Sequence, residues 1–229
     1  MNNIYFNLNQ LQKTIMYYAL KYKKKYTDIK VIAISKKRSI NEIIQAYSFG
    51  QRAFGENYVQ EAIKKINNIQ LKIEWHFVGK IQSNKVSIIA KNFAWCHSIT
   101  SKKHAELLNK YRPEILPPLN VLIQININCE KNKNGIYLYK LMNLVNFIYQ
   151  LKKIKLRGIM IFPNQQKDIQ QKIILYKKMY IILMKLKNKY KYTDTLSLGT
   201  SYDIEEAIAS GSNMLRIGQK IFNKKINNH

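Results

Sequence analysis

A lysine placed at the end of an apolar strand can serve as an amine nucleophile, and "VIAISKKRS", residues 31–39, has that form. Side chains alternate along a strand, so Ile32, Ile34 and Lys36 share one face while Ala33 and Ser35 share the other. Lys37 and Arg38 add like charge beside Lys36, and partial burial would add desolvation; both disfavour the ammonium form. A neutral amine condenses with an aldehyde to a Schiff base. The competing reading of Lys36 is a solvated charge capping a strand end.

A second set of residues, near the C-terminus, suits an anion. "LSLGTSYDIEEAIASG" places Gly199, Thr200 and Ser201 between a strand and a helix whose start Ser201 and Asp203 mark. N–H and hydroxyl groups at such a point favour phosphate. "MLRIGQKIF" then ends a further strand at Arg216, Ile217, Gly218 and Gln219, where Gly218 permits close backbone approach. Arg216 and Gly218 also read as a surface cation and a plain turn. An amine, an anion cradle and a partner for a ring nitrogen are together what pyridoxal phosphate demands of a protein.

The elements that must bring these residues together alternate in type. Eight short apolar runs stand at 30–35, 53–55, 74–79, 93–99, 120–127, 156–162, 195–199 and 214–218. Helical patterns lie between them, from "NEIIQAYSFG", capped by Ser39 or Asn41, to the long "DIQQKIILYKKMYIILMKLKNKY" and "DIEEAIASG". An opening segment with Leu8, Leu11, Ile15 and Ala19 at helical spacing adds an N-terminal helix. Strict alternation predicts a parallel sheet, and eight repeats predict a closed (β/α)8 TIM barrel. In such a barrel Lys36 reaches the C-terminal mouth, and the loops after strands seven and eight commonly bind phosphate. An open doubly wound sheet is the other architecture, but "ISKKRSIN" has no glycine for a nucleotide loop. Without a linker or composition break, 1–229 reads as one domain.

Composition excludes several classes. The formal net charge is +26, with 39 Lys and Arg against 13 Asp and Glu. Only five of those bases are arginine, they are spread along the chain, and no nucleic-acid signature accompanies them, so specific nucleic-acid binding is not expected. Lys, Asn, Ile and Tyr share codons rich in A and T, which accounts for the lysines as compositional drift on solvated faces. Cys96 and Cys129 lie in apolar runs without CxxC spacing and read as reduced thiols. His76, His97, His104 and His229 show no metal-ligand spacing. No apolar stretch reaches a membrane span and no signal peptide opens the chain, so a cytoplasmic location is expected.

The stretches "VIAISKKRS", "FGENYVQEA", "IEWHFVGKIQSNKV", "LRGIMIFP" and "LSLGTSYDIEEAIASGSNMLRIGQKIF" resemble the pyridoxal phosphate homeostasis proteins, single-domain relatives of the alanine racemase N-terminal barrel. The resemblance runs from about residue 8 to the end, with the motifs in order. It implies that Lys36 holds the cofactor as a Schiff base, and that Ser201 with the backbone of Gly218 and Gln219 cradles the phosphate. It implies that Arg216 faces the pyridine nitrogen, and that Asn57 and His76 lie in motifs lining the pocket. Lys133 matches a loop lysine of secondary attachment or relay, with an ordinary solvated loop lysine as the alternative. Departures are Thr200 where methionine is common, Gln219 where threonine is common, no proline after the lysine, and Asn223 for a glycine.

Two functions follow from the resemblance. The first is a non-catalytic carrier that takes up pyridoxal phosphate, limits free aldehyde and releases the cofactor to acceptor enzymes, with a monomer expected. The second is an amino-acid racemase of the alanine racemase type. Racemisation by two bases needs an acid/base group on each face of the substrate carbon. An arginine at the ring nitrogen makes a weak electron sink, and the sequence ends eleven residues after Gly218, where full-length racemases continue into a domain that supplies the second base. The carrier is therefore the expected function.

Overall fold

Eight parallel strands close on themselves in chain order, each pairing with the next and the last pairing with the first. The computed structural model describes residues 4–127, 134–162 and 168–223. The strands are β1 (Lys30–Ile34), β2 (Ala53–Glu56), β3 (Glu74–Phe77), β4 (Trp95–Ile99), β5 (Leu119–Ile125), β6 (Ile154–Ile161), β7 (Thr195–Ser197) and β8 (Met214–Ile217). All eight sit on the apolar runs of the sequence. Closure is made by β1 against β8, from Lys30 opposite Met214 to Ala33 opposite Ile217, which rules out the open sheet.

The helices between strands are α2 (Ile40–Ser48), α3 (Val59–Asn68), α4 (Val86–Asn92), α5 (Lys102–Tyr111), α6 (Leu141–Tyr149), α7 (Ile169–Lys189) and α8 (Ile204–Ala209). They are preceded by α1 (Ile4–Lys21) and followed by α9 (Gln219–Phe222). Three of the starts, those of α2, α5 and α7, carry a side-chain cap. Ser39 and Glu42 form a reciprocal capping box on α2, and Asp168 accepts the Gln170 and Gln171 N–H groups at α7. The predicted α1 stripe of Leu11, Ile15 and Ala19 is buried, and the helix packs on α8 and α9. Asn7 then clips the chain end by donating to the Ile221 carbonyl at 3.0 Å.

Alternation along the strands divides the core in two. Ala33, Phe54, Phe77 and Ile217 face the helices in a large outer cluster, while Ile32, Ala53, Trp95, Leu122, Met160 and Met214 fill the barrel itself. Both faces are buried, which is why the strands read as continuous apolar runs. The inner cluster is small because polar side chains occupy the rest of the interior: His76, His97, Ser197 and Arg216 are all buried there. Among the described residues, no helix is long and apolar enough to cross a membrane.

Candidate functional site at the C-terminal mouth

β1 and β8 bring the amine and the anion cradle side by side. Register pairs Ile32 with Arg216 and Ala33 with Ile217, so Ile34 lies against Gly218 and the chain turns at Lys36 immediately beyond. Ile32 and Ile34 face the barrel interior as alternation predicts. Lys36 itself is exposed, which corrects the expectation of partial burial: the strand ends at Ile34, and Lys36 and Lys37 form a surface turn. Lys36 makes no hydrogen bond or ion pair with any described residue. Arg38 does not crowd it. Its guanidinium donates to Asn223 Oδ1 at 2.6 Å and to the Phe222 carbonyl at 3.3 Å, and lies 3.6 Å from Glu42. The Asn223 departure thus has a partner of its own.

A buried cation fixes this turn from below. Lys65 Nζ donates to the Ser35 carbonyl at 2.7 Å, to Glu56 Oε1 at 2.7 Å and to Glu61 Oε1 at 2.6 Å. Ser35 Oγ donates to the same Glu56 oxygen, and the Lys37 N–H reaches Glu61 at 2.5 Å. Lys37 adopts the left-handed conformation, φ 59°, which costs a non-glycine residue of order 1 kcal/mol. The Glu61 contact offsets it. Burial pushes the Glu56 carboxyl above its usual range, with Lys65 and Ser35 opposing. The sequence carried a signal for this clamp that motif reading passed over: Lys65 continues the buried Val59–Ala62 stripe of α3.

On the other side of the mouth, Ser201 is buried and its Oγ accepts the Lys220 N–H at 3.3 Å. The Ser201, Gly218 and Gln219 N–H groups have no acceptor among the described residues. Thr200 is not part of this set, because Asp203 Oδ1 takes both its N–H and its hydroxyl, at 2.7 and 2.5 Å. Asp203 Oδ2 in turn accepts from Tyr176 at 2.6 Å. The Gln219 side-chain carbonyl is held by the Tyr202 hydroxyl.

Arg216 is buried inside the barrel. Nη1 donates to Ser197 Oγ at 2.7 Å, Nη2 to the Ile161 carbonyl at 2.8 Å, and the guanidinium lies 4.4 Å from the Phe162 ring. Nε is buried with no partner. Burial pushes the guanidinium down to about 10, with Asp203 and Tyr176 opposing. An unmet buried donor costs roughly 1–3 kcal/mol, so a ligand acceptor at this point would relieve it.

The remaining candidates divide. Asn57 follows β2 and borders a cavity of about 390 Å³ with Lys80, Lys85 and Asn134, on the β2–β3 side of the mouth. Its carbonyl lies so close to Gly79 that a Cβ there would sit 1.9 Å away, which explains the glycine in "EWHFVG". His76 is not at the mouth. It is fully buried, stacks on Trp95, and has both ring nitrogens engaged, by Glu74 at 2.6 Å and His97 at 2.9 Å. Lys133 and Cys129 lie outside the described residues. Cys96 is a free, buried thiol whose burial pushes it up to about 11. No group of three or more His, Cys, Asp or Glu among the described residues is placed to hold a metal.

A closed parallel barrel with a lysine after β1 and an arginine on β8 is a barrel of the alanine racemase type. The sequence model of the alanine racemase N-terminal domain matches residues 7–224. The pyridoxal phosphate homeostasis protein of Buchnera aphidicola (subsp. Baizongia pistaciae) is 48% identical over 225 residues, 97% of this chain and 99% of that one. That of Escherichia coli K12 is 43% identical, with 97% of each chain covered. The chain belongs to the alanine racemase N-terminal domain family and, within it, to the pyridoxal phosphate homeostasis proteins. PipY of Synechococcus elongatus, solved without and with PLP bound, superposes with TM-scores of 0.84 and 0.83 at 28% and 27% identity, over 96% of this chain and 100% of that one. Alanine racemase of Clostridium difficile shares the fold, TM-score 0.75 at 16% identity, over all of this chain and 58% of that one.

Proposed function

We propose that this chain binds pyridoxal phosphate at the C-terminal mouth through the amine of Lys36, and that it holds and releases the cofactor without turning over a substrate. The observation that carries the proposal is the buried Arg216 Nε–H, without a partner among the described residues, together with the N–H groups of Gly218 and Gln219, two and three residues further on and just past β8, which have no acceptor there either. When bound, the cofactor supplies an aldehyde to which amines add reversibly.

The chain's own residues divide that task. Ser201 and the free N–H groups at 201, 218 and 219 suit a phosphate, as charge-assisted donors. Nothing in the fold demands glycine at 218, since its φ is −116° and a Cβ would make only ordinary contact with Ile34 at 3.4 Å. Glycine there is explained by space for a ligand. Arg216 is charged at neutral pH and can only donate, so it fits an unprotonated ring nitrogen. The exposure of Lys36 leaves room for a second amine to approach, as release to an acceptor enzyme requires. Asn57 borders the pocket from the β2–β3 side, and one domain acting as a monomer is sufficient for this role.

The names of the full-length relatives support the carrier reading, and PipY is a relative solved with PLP bound. The test is absorbance spectroscopy of the purified chain with pyridoxal phosphate, then borohydride reduction and peptide mapping. A single covalent label on Lys36, absent in Lys36→Ala, supports the proposal. Labels scattered over many lysines, or none, would overturn it. Robust racemisation of alanine by the same sample would overturn its non-catalytic part.

A further inference from the structure

A continuous hydrogen-bonded chain crosses the barrel interior from the N-terminal face to Arg216. Lys30 Nζ lies 2.8 Å from Glu74 Oε1, and the same oxygen is 2.6 Å from His76 Nε2. His76 Nδ1 is 2.9 Å from His97 Nε2, His97 Nδ1 is 3.3 Å from Ser197 Oγ, and Ser197 Oγ is 2.7 Å from Arg216 Nη1. The members come from five strands or strand ends, β1, β3, β4, β7 and β8.

The chemistry of the two ends leaves one arrangement of protons. Arg216 can only donate, so Ser197 Oγ accepts there. Glu74 pairs with the Lys30 ammonium at 2.8 Å, and its hydrogen bonds to His76 and Lys30 hold it below the usual carboxylate range against its burial, so it is ionised, can only accept, and His76 must carry its proton on Nε2. Burial disfavours the charged form of both histidines. A neutral His76 then presents a bare Nδ1 to His97. His97 therefore donates from Nε2 and presents a bare Nδ1, to which the Ser197 hydroxyl donates. Each of the four links leading from Arg216 to Glu74 has its donor on the Arg216 side.

We propose that Glu74, His76, His97 and Ser197 form a one-way hydrogen-bond chain that pins the Arg216 guanidinium, with His97 as a positioning residue for the unpaired Nε–H. With Nη1 held by Ser197 and Nη2 by the Ile161 carbonyl, the orientation of the planar fork is fixed, and Nε is the guanidinium nitrogen without a partner among the described residues, placed to donate to a ligand. Loss of His97 removes the ring that, among the described residues, fixes the Ser197 hydroxyl. The charged groups around the two rings are Lys30 on β1, Glu74 on β3 and Arg216 on β8. Protonating His76 would force His97 to reverse, turning its Nδ1–H toward Ser197 and displacing the serine proton. The chain therefore holds a single polarity only while both rings are neutral. The role assigned to Nε rests on the cofactor reading given above.

The polarity is tested on the cofactor-free protein by two-bond ¹H–¹⁵N correlation of the histidine rings from pH 8 to 5.5, with His76→Asn and His97→Asn used for assignment. Two rings that stay neutral with the proton on Nε2 are expected. A ring titrating near 6.5, or an Nδ1–H form at His76 or His97, would overturn the chain. The positioning role is tested with pyridoxal phosphate on His97→Phe and Ser197→Ala, the second guarding against a misfolded ring variant. Expected are an unchanged borohydride label on Lys36, about tenfold weaker binding and a shifted absorbance maximum of the bound cofactor. Wild-type affinity and spectrum in both variants would overturn the positioning role. Failure of the wild-type chain to bind would instead count against the cofactor reading, while the ring tautomers still decide the polarity.

Discussion

Lys65 Nζ, buried on the inner face of α3, sits 2.7 Å from the carbonyl of Ser35, the residue directly before Lys36. A cation in that position also faces two carboxylates, Glu56 and Glu61, and its removal leaves Glu56 buried without its countercharge. Breaking such a pair from one side typically costs about 3–5 kcal/mol. Lys65→Met is expected to lower stability by about that amount in chemical denaturation. Adding Glu56→Gln should recover part of the loss, because the uncompensated charge goes with it. Equal stability of the single and double variants would show that the lost ammonium contacts, and not the stranded charge, set the cost.

Lys36 presents the opposite case. It is exposed and makes no hydrogen bond or ion pair with a described residue, so Lys36→Ala should change stability by no more than about 0.5 kcal/mol. The same change should abolish the covalent label left by borohydride reduction with pyridoxal phosphate. A thermal melt beside a mass spectrum separates the two effects in one preparation.

Stability should fall as the medium becomes acidic, with a sign set by the two buried histidines. Burial lowers the folded-state pKa of His76 and His97 below the ordinary value of 6.5, so the unfolded chain binds more protons than the folded one as pH drops through that value. Their contribution is fully present above about 6.5 and is lost progressively below it, at up to about 1.4 kcal/mol per pH unit for each ring. Glu74, held at about 2, adds a further loss beginning only below about 4.5. Denaturation midpoints measured between pH 8 and 5 should therefore decline most steeply below 6.5, and His97→Phe should flatten the decline.

The strands were legible because they follow from local pattern, eight apolar runs, whereas alternation carried two residues past Ile34 put Lys36 on an inward face that the strand, ending at Ile34, does not extend to. Arg216, Ser201 and Gly218 could be named as candidates because they stand close in sequence to a strand end and a turn. What local pattern cannot show is pairing across the barrel. His76 stood in a motif that reads as pocket lining, yet its ring is claimed by Glu74 two residues before it and by His97 on the next strand. His97 read only as one of four histidines without metal spacing, because its partners Ser197 and His76 are 100 and 21 residues away. Burial of Lys36 was misjudged for a related reason. Charge density in "SKKRS" suggested crowding, but Arg38 turns to Asn223 and Phe222, contacts that only barrel closure creates.

Gly218 offers the sharpest separation between fold and ligand. Its backbone lies at φ −116°, which any residue adopts, and an added Cβ would meet Ile34 at an ordinary 3.4 Å. Gly218→Ala should therefore leave the melting temperature within about 2 °C of wild type, since a change below about 0.5 kcal/mol is small for a chain of this size. If the Gly218 and Gln219 N–H groups hold the phosphate, the new methyl group narrows the approach of the anion, and affinity for pyridoxal phosphate should fall about tenfold while affinity for unphosphorylated pyridoxal changes little. Isothermal titration of both compounds into the wild type and the variant reads this directly. Equal losses for the two would place the methyl group against the ring and not the phosphate, and would move the cradle toward Ser201. No loss for either would remove Gly218 from the site altogether, leaving its glycine without a ligand-based reason.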